Sequence, residues 1–249
     1  MIRFAVPALT ALALLAGPAT AFDAAKMTDS ERAAFRAEVR AYLLDNPEVI
    51  IEAVNQLEER KAQAQAQADE ALVQANADAL FNDGFSWVGG NPNGDITLVE
   101  FMDYRCGYCR KAKPEVAKLL AGDGNIRLIV KELPILGEAS VISSRFAIAT
   151  RQVAGDTAYE QVHDALMAFS GEPTDVTLRR LSDGLGLDSD AILARMDSAE
   201  VSAEIAATRA LAQRLQIGGT PTFVLQDEML RGYLPADQLA QIVADKRGN

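Results

Sequence analysis

The chain is poor in the residues that build metal sites and cross-linked scaffolds. It has two cysteines and one histidine in 249 residues. Two cysteines cannot staple a disulfide-dense scaffold. With a single histidine they also fall short of the four ligands of a structural zinc site. Positive charge is scarce: 24 Lys and Arg face 35 Asp and Glu, a net charge of −11. That balance excludes a nucleic-acid binder, which needs a basic face for phosphate. Beyond the first residues no apolar run is long enough to cross a bilayer. What is present is an ordinary globular composition, 49% hydrophobic, long enough for one large domain or a domain with a smaller module.

Residues 1–21 read as a signal peptide. Arg3 gives a positive start, Phe4 to Ala16 is a short apolar run, and Ala19-Thr20-Ala21 is a small-x-small cleavage site. The alternative, an uncleaved anchor, asks for about 20 apolar residues. The expected location is therefore the periplasm or another exported compartment, where two cysteines can stay oxidised.

Residues 22–60 read as a helical module. Thr28-Asp29-Ser30-Glu31 is a capping box. Phe35, Val39, Tyr42 and Leu43 follow at helical spacing, and Asn46-Pro47 ends that helix and starts another. Ile50, Ile51, Val54 and Leu57 give the second helix its stripe. A segment this short rarely forms its own core, so self-association of the chain through it is expected. Residues 61–84 are rich in Ala, Gln and acid, with few large apolar groups. They read as a helical or frayed connector that buries little.

The main domain is expected over residues 85–249. Gly89 to Gly94 is dense turn chemistry. Ile96 to Met102 reads as a buried strand interrupted by Glu100, followed by a helix to about Leu120 that Pro114 interrupts, and by a strand from Ile126 to Leu133. Strand, helix, strand suggests a parallel βαβ unit. Residues 138–216 hold about five helical segments and no convincing strand, with Asp156, Thr174, Asp188 and Ser198 as N-caps and Gly184 and Gly218 as stops. Thr222–Leu225 and Leu230–Tyr233 read as a hairpin, and a closing helix runs from Pro235 to about Lys246. Trp87 and Phe101 read as core, and His163 as a packing or surface residue.

Cys106-Gly107-Tyr108-Cys109 carries the chemistry. It follows a buried strand and opens a helix, where free N–H groups and the macrodipole favour an anion. The thiolate is the nucleophile of disulfide exchange. The second cysteine, one turn on, can resolve a mixed disulfide on the first. Cys106 is thus the attacker and Cys109 the resolver. Arg105, Arg110, Lys111 and Lys113 form a basic cluster in an acidic chain, with Arg105 the candidate to assist the thiolate. Two alternatives stand beside this reading: an inert disulfide, and a Cu(I) site using the same two sulfurs.

With Gly218-Gly219-Thr220-Pro221-Thr222-Phe223 downstream, the sequence resembles the thioredoxin superfamily, in particular the DsbA-type periplasmic thiol–disulfide oxidoreductases. The resemblance covers about Asp95–Val130 and Gly218–Ala244. It implies an α/β thioredoxin fold with an all-helical insertion over 138–216. It also implies a cis peptide bond at Pro221 beside the cysteines. Thr220, Pro221, Gly107 and Tyr108 then line the substrate groove. Glu100, six residues before Cys106, takes the place of the family's buried acid, a proton relay for the resolving thiol, with Lys131 as a possible partner. No organic cofactor is implied, since a redox-active disulfide Cys106–Cys109 carries the electrons. The segment from Tyr42 to Ile50 resembles the N-terminus of the suppressor-of-copper-sensitivity C (ScsC) proteins, a subgroup in which this module can oligomerise the chain.

The implied activity is exchange of disulfides with cysteine-containing exported proteins, in concert with a membrane redox partner. The motif lacks the His that strongly oxidising members carry. With the module, this favours isomerase or reductase over a dithiol oxidase.

Overall fold

Two compact units make up the chain, Met1–Glu59 and Arg60–Asn249. The structure, a computed structural model, describes residues 24–248. The expected signal peptide lies outside them.

In the first unit a 3-10 turn, Ala24–Lys26, precedes helix α1, Asp29–Asp45. The capping box forms: the Thr28 side chain accepts from the Glu31 N–H, and the Glu31 carboxylate accepts from the Thr28 N–H at 2.8 Å. No residue of α1 is buried. Val39, Tyr42 and Leu44 on α1, and Ile50, Ile51, Val54 and Leu57 on the next helix, are exposed.

Helix α2 runs without a break from Glu48 to Ala75. The expected connector is therefore helical, but it does not stand apart from the main domain. Asp69 and Val73 near its end are buried, and so is Leu80 of the short helix α3, Ala77–Phe81. Val73 and Leu80 share a core with Val99, Phe101 and Ile129. Two polar clips reinforce the packing. Asp69 takes a bidentate bond from Arg231, and Arg214 donates to Asn76 at 2.6 Å. A low density of large side chains hid this, because one valine and one leucine per two turns suffice when small alanines let the helix lie close.

The second unit is built on a five-stranded sheet in the order β1-β3-β2-β4-β5. The strands are β1 (Trp87–Gly90), β2 (Ile96–Met102), β3 (Ile126–Glu132), β4 (Thr222–Leu225) and β5 (Glu228–Arg231). Strands β2 and β3 pair in parallel, joined by helix α4, Gly107–Asp123, as the βαβ reading requires. All other pairs are antiparallel. Strand β1 was hidden by its glycines, which read as turn. Gly90 is needed there: a Cβ would sit 2.4 Å from the Ile126 carbonyl, and its φ is +65°. The hairpin arm lies two residues earlier than expected, because Gln226 adopts φ +58° and closes the turn at once.

Five helices fill the insertion: α5 (Glu138–Ala154), α6 (Asp156–Ala168), α7 (Asp175–Gly184), α8 (Ser189–Arg195) and α9 (Ala199–Arg214). Thr174, Asp188 and Ser198 are N-caps, whereas Asp156 is the first helical residue behind Gly155. Gly218 lies past the end of α9, which caps at Leu215. Helix α10, Ala236–Gly248, closes the unit.

Side chains alternate across the sheet. Leu98, Met102, Leu128, Val130, Phe223 and Leu225 face one core with Cys106, Cys109 and Val116 of the α4 layer. Val99, Phe101, Ile129 and Val224 face the other, with Val73, Leu80 and Leu211. Trp87 and Phe101 are core residues.

Candidate functional site

The site forms where β2 ends and α4 begins. Asp103 organises the turn between them. Its Oδ1 accepts from the Arg105 N–H at 2.8 Å, its Oδ2 accepts from Ile135 and Leu136 N–H, and its carbonyl accepts from the Cys106 N–H at 3.1 Å. Cys106 is the N-cap of α4, with extended backbone, φ −77° and ψ 117°. Both cysteines are unbridged. They are not equivalent: Cys106 keeps 7% of its surface and Cys109 none. Burial pushes the Cys109 thiol well up, despite hydrogen bonding from the Asp103 backbone and Thr220.

Thr220 and Pro221 come from the far side of the insertion. The Thr220–Pro221 bond is cis. The Thr220 carbonyl accepts from Cys106 Sγ at 3.1 Å, so residues 114 apart in sequence meet at this sulfur. The Gly232 N–H donates to the Pro221 carbonyl at 2.9 Å and ties the loop to the end of β5. Gly107 has open space above it, and Tyr108 is exposed.

Glu100 is buried, on the face of β2 that looks toward α4. Burial raises its carboxyl to about 7, against the pull of the Lys113 charge. Its Oε1 has no hydrogen-bond partner. Lys131 is not its partner. In the β2–β3 register Glu100 stands opposite Val130 while Lys131 stands opposite Phe101, which puts the lysine on the other face. There Lys131 bonds Asp83 at 2.5 Å and the Ala79 carbonyl at 2.9 Å.

A second buried cluster escaped the sequence reading. Glu132, at the end of β3, accepts from Tyr104 and Tyr159 at 2.7 Å each and from Ser144 at 2.8 Å. Tyr104 Oη also lies 3.0 Å from His163 Nδ1. Burial raises Glu132 to about 7, with its three hydroxyl donors pulling the other way, and lowers His163 to about 3. The cluster joins the residue two before Cys106 to helices α5 and α6. The local string did not mark them: Asp103 and Arg105 flank Tyr104, and Lys131 precedes Glu132, so their burial and need for partners appear only in the fold.

The four basic residues separate. Arg105 donates to the Gly171 carbonyl at 2.8 Å and pairs with Glu172 at 3.7 Å, so its guanidinium is engaged with the insertion and not reserved for the thiolate. Arg110 bonds the Tyr104 and Phe169 carbonyls. Lys113 pairs with Asp164 at 2.6 Å. Lys111 lies over the Tyr233 ring, 4.2 Å from its centroid. Among the described residues no group of three or more His, Cys, Asp or Glu could hold a metal ion, and no helix is long and apolar enough to cross a membrane.

Comparison with known proteins gives the family of the fold. The family described as a DSBA-like thioredoxin domain matches residues 97–244, and the copper resistance protein ScsC N-terminal domain matches residues 31–64. A thioredoxin-like oxidoreductase from Silicibacter pomeroyi DSS-3 is 44% identical, over 69% of this chain and 98% of its own, with a TM-score of 0.65. Proteus mirabilis ScsC in a transitional conformation is 27% identical, over 89% of this chain and 97% of its own, with a TM-score of 0.64. The Na(+)/H(+) antiporter NhaA 1 of Salinispora arenicola is 29% identical over 157 residues, 63% of this chain and 24% of its own. The chain spans about a quarter of the length of the curated relatives it matches.

Proposed function

The chain belongs to the DSBA-like thioredoxin domain family, its fold a thioredoxin fold with a helical insertion, and we propose that it exchanges disulfides with cysteine-containing exported proteins. The single observation that carries this reading is the meeting of Cys106 Sγ with the Thr220 carbonyl beside Pro221, with Cys109 fully buried behind it. The Cys106 thiolate attacks a substrate disulfide; one substrate sulfur leaves as a thiolate and takes a proton from water. The Cys109 thiol gives its proton to Glu100 and attacks the mixed disulfide. The Cys106–Cys109 bond forms, the second substrate sulfur leaves, and the substrate has gained the two electrons the protein lost. In isomerisation the substrate's own thiolate resolves the mixed disulfide and no net electrons move. Net reduction needs an external dithiol donor, the role assigned to a membrane redox partner.

Isomerase or reductase chemistry is the favoured direction, because Gly107-Tyr108 supplies no histidine to the motif and because residues 22–60 are read as an oligomerisation module. The exposed side chains of Val39, Tyr42, Leu44, Ile50, Ile51, Val54 and Leu57 support that second point. A second copy of this chain covering them would set several active sites around one substrate. Deleting residues 22–60 is expected to lower the mass measured by light scattering to that of one chain. The same truncation is expected to abolish shuffling of a scrambled-disulfide protein while leaving plain disulfide reduction. Monomeric full-length protein would end the module reading, and net oxidation of a reduced substrate would select the oxidase.

Glu100 gives the reading a pH signature. Resolution by Cys109 is expected to follow a titration near pH 7, and Glu100→Gln to flatten that profile and slow resolution about 10²-fold. Stability changes in the opposite sense. The folded carboxyl holds its proton up to about 7, the unfolded one only to 4.5. Between these values the native state binds the extra proton, so stability is full below pH 4.5 and falls as pH rises through 7. At pH 8, Glu100→Gln is expected to gain up to about 3 kcal/mol in urea unfolding.

A further inference from the structure

We propose that Lys111 sets a charge preference in the substrate groove, favouring segments with a carboxylate side chain two or three residues from the reacting cysteine. This rests on the exchange reading above and adds the class of substrate segment to it.

Of the four cations clustered at the motif, three are engaged. Arg105 and Lys113 have carboxylate partners, and the Arg110 guanidinium is turned onto two carbonyls. Lys111 is exposed and makes no ion pair among the described residues. Glu115, four residues on, is occupied otherwise, accepting from the Ala236 N–H at 2.9 Å. The ammonium is held over the Tyr233 ring, a neutral partner that brings no countercharge.

Its place is what gives the charge meaning. Tyr233 follows Gly232, whose N–H bonds the Pro221 carbonyl. Lys111 and Tyr233 therefore bridge the two walls between which a substrate strand lies, helix α4 on one side and the Pro221 loop on the other. Gly107, four residues before Lys111 and on the same helix face, has nothing above it to block approach. Five residues of helix place Lys111 about 7.5 Å along the axis from Cys106 at about 1.5 Å each. An extended segment covers that distance in two or three residues at about 3.3 Å each. The span is also inside the Debye length of about 8 Å at physiological salt. In a chain of net charge −11, a free cation at this point offers an acidic segment a local attraction that the rest of the surface denies it.

The test uses full-length reduced protein and three synthetic peptides. Each carries one cysteine as a mixed disulfide with a neutral thiol, and they differ only in Glu, Gln or Lys at two or three residues from it. The second-order rate of thiol release is read for each. At low salt the Glu peptide is expected to react about two- to fivefold faster than the Lys peptide, the range of one exposed ion pair. The ratio is expected to approach one at about 1 M salt, where the Debye length is about 3 Å, and to invert in Lys111→Glu. A wild-type ratio of one at low salt, or a preference that survives Lys111→Glu, overturns the proposal. No reaction with the Gln peptide overturns the exchange reading itself, and this one with it.

Discussion

Cys106→Ala is expected to drop turnover in a disulfide reduction assay to the uncatalysed background. Cys109→Ala is expected to fail differently, by accumulating protein covalently bound to substrate. The reason is positional. Cys106 has the residual surface of the pair, at the N-cap of α4, with the Thr220 carbonyl 3.1 Å from its sulfur. Without it no mixed disulfide can form. Cys109 is fully buried, with its thiol pushed well up by burial, and cannot reach a substrate disulfide. In the proposed exchange its part begins once a substrate sulfur is already bonded to its neighbour. Non-reducing electrophoresis after incubation with a disulfide-containing substrate separates the two cases. A Cys109→Ala variant that forms no adduct, or a Cys106→Ala variant that still turns over, would sink the attacker and resolver assignment.

Asp83→Ala is expected to be the most damaging change away from the cysteines, costing about 3–5 kcal/mol of stability. The Lys131 side chain is fully buried, and its ammonium bonds Asp83 at 2.5 Å. Burial alone would push the Asp83 carboxyl up, but hydrogen bonds from Lys131 and Ser86 bring it below its ordinary value. Asp83 also accepts from the Phe85 and Ser86 N–H groups. Removing it leaves a buried cation with no carboxylate among the described residues, held by the Ala79 carbonyl and the Phe85 ring 5.7 Å away. The double change Asp83→Ala with Lys131→Met is expected to recover much of the loss, since the uncompensated charge, not the missing attraction, dominates the cost. Urea unfolding of the wild type, the single and the double variant measures this. An equal loss in single and double variants would assign the cost to the Asp83 backbone contacts instead.

The legibility of the site followed the range of its interactions. The capping box at Thr28, the N-caps at Thr174, Asp188 and Ser198, and the strand–turn–helix around Cys106 all depend on neighbours a few residues away. Such features carry their signal in the local string. The Glu132 cluster could not be read that way. Its bonds join residues 12, 27, 28 and 59 apart, and a glutamate at the end of an apolar strand is equally compatible with an exposed end. Lys131 shows the same limit more sharply. Both it and Glu100 were visible as charges in buried strands, yet a pairing between them depends on which face each occupies. In a sheet that follows from register, and one residue of difference sends a side chain to the opposite side.

The order of elements, the helical insertion and the Cys106–Cys109 spacing were legible in the sequence alone, since they rest on periodicity, capping and backbone preferences that act within one turn or one strand. The candidate groove at Thr220-Pro221 came from the family resemblance. Packing in three dimensions was needed to show that the end of α2 belongs to the sheet-bearing unit, that Lys131 serves Asp83, and that Lys111, of the four cations near Cys106, has neither a carboxylate nor a carbonyl partner among the described residues. The first two are choices among partners distant in the chain, settled by burial, which makes an unpaired charge too costly to keep; Lys111 is exposed and escapes that penalty.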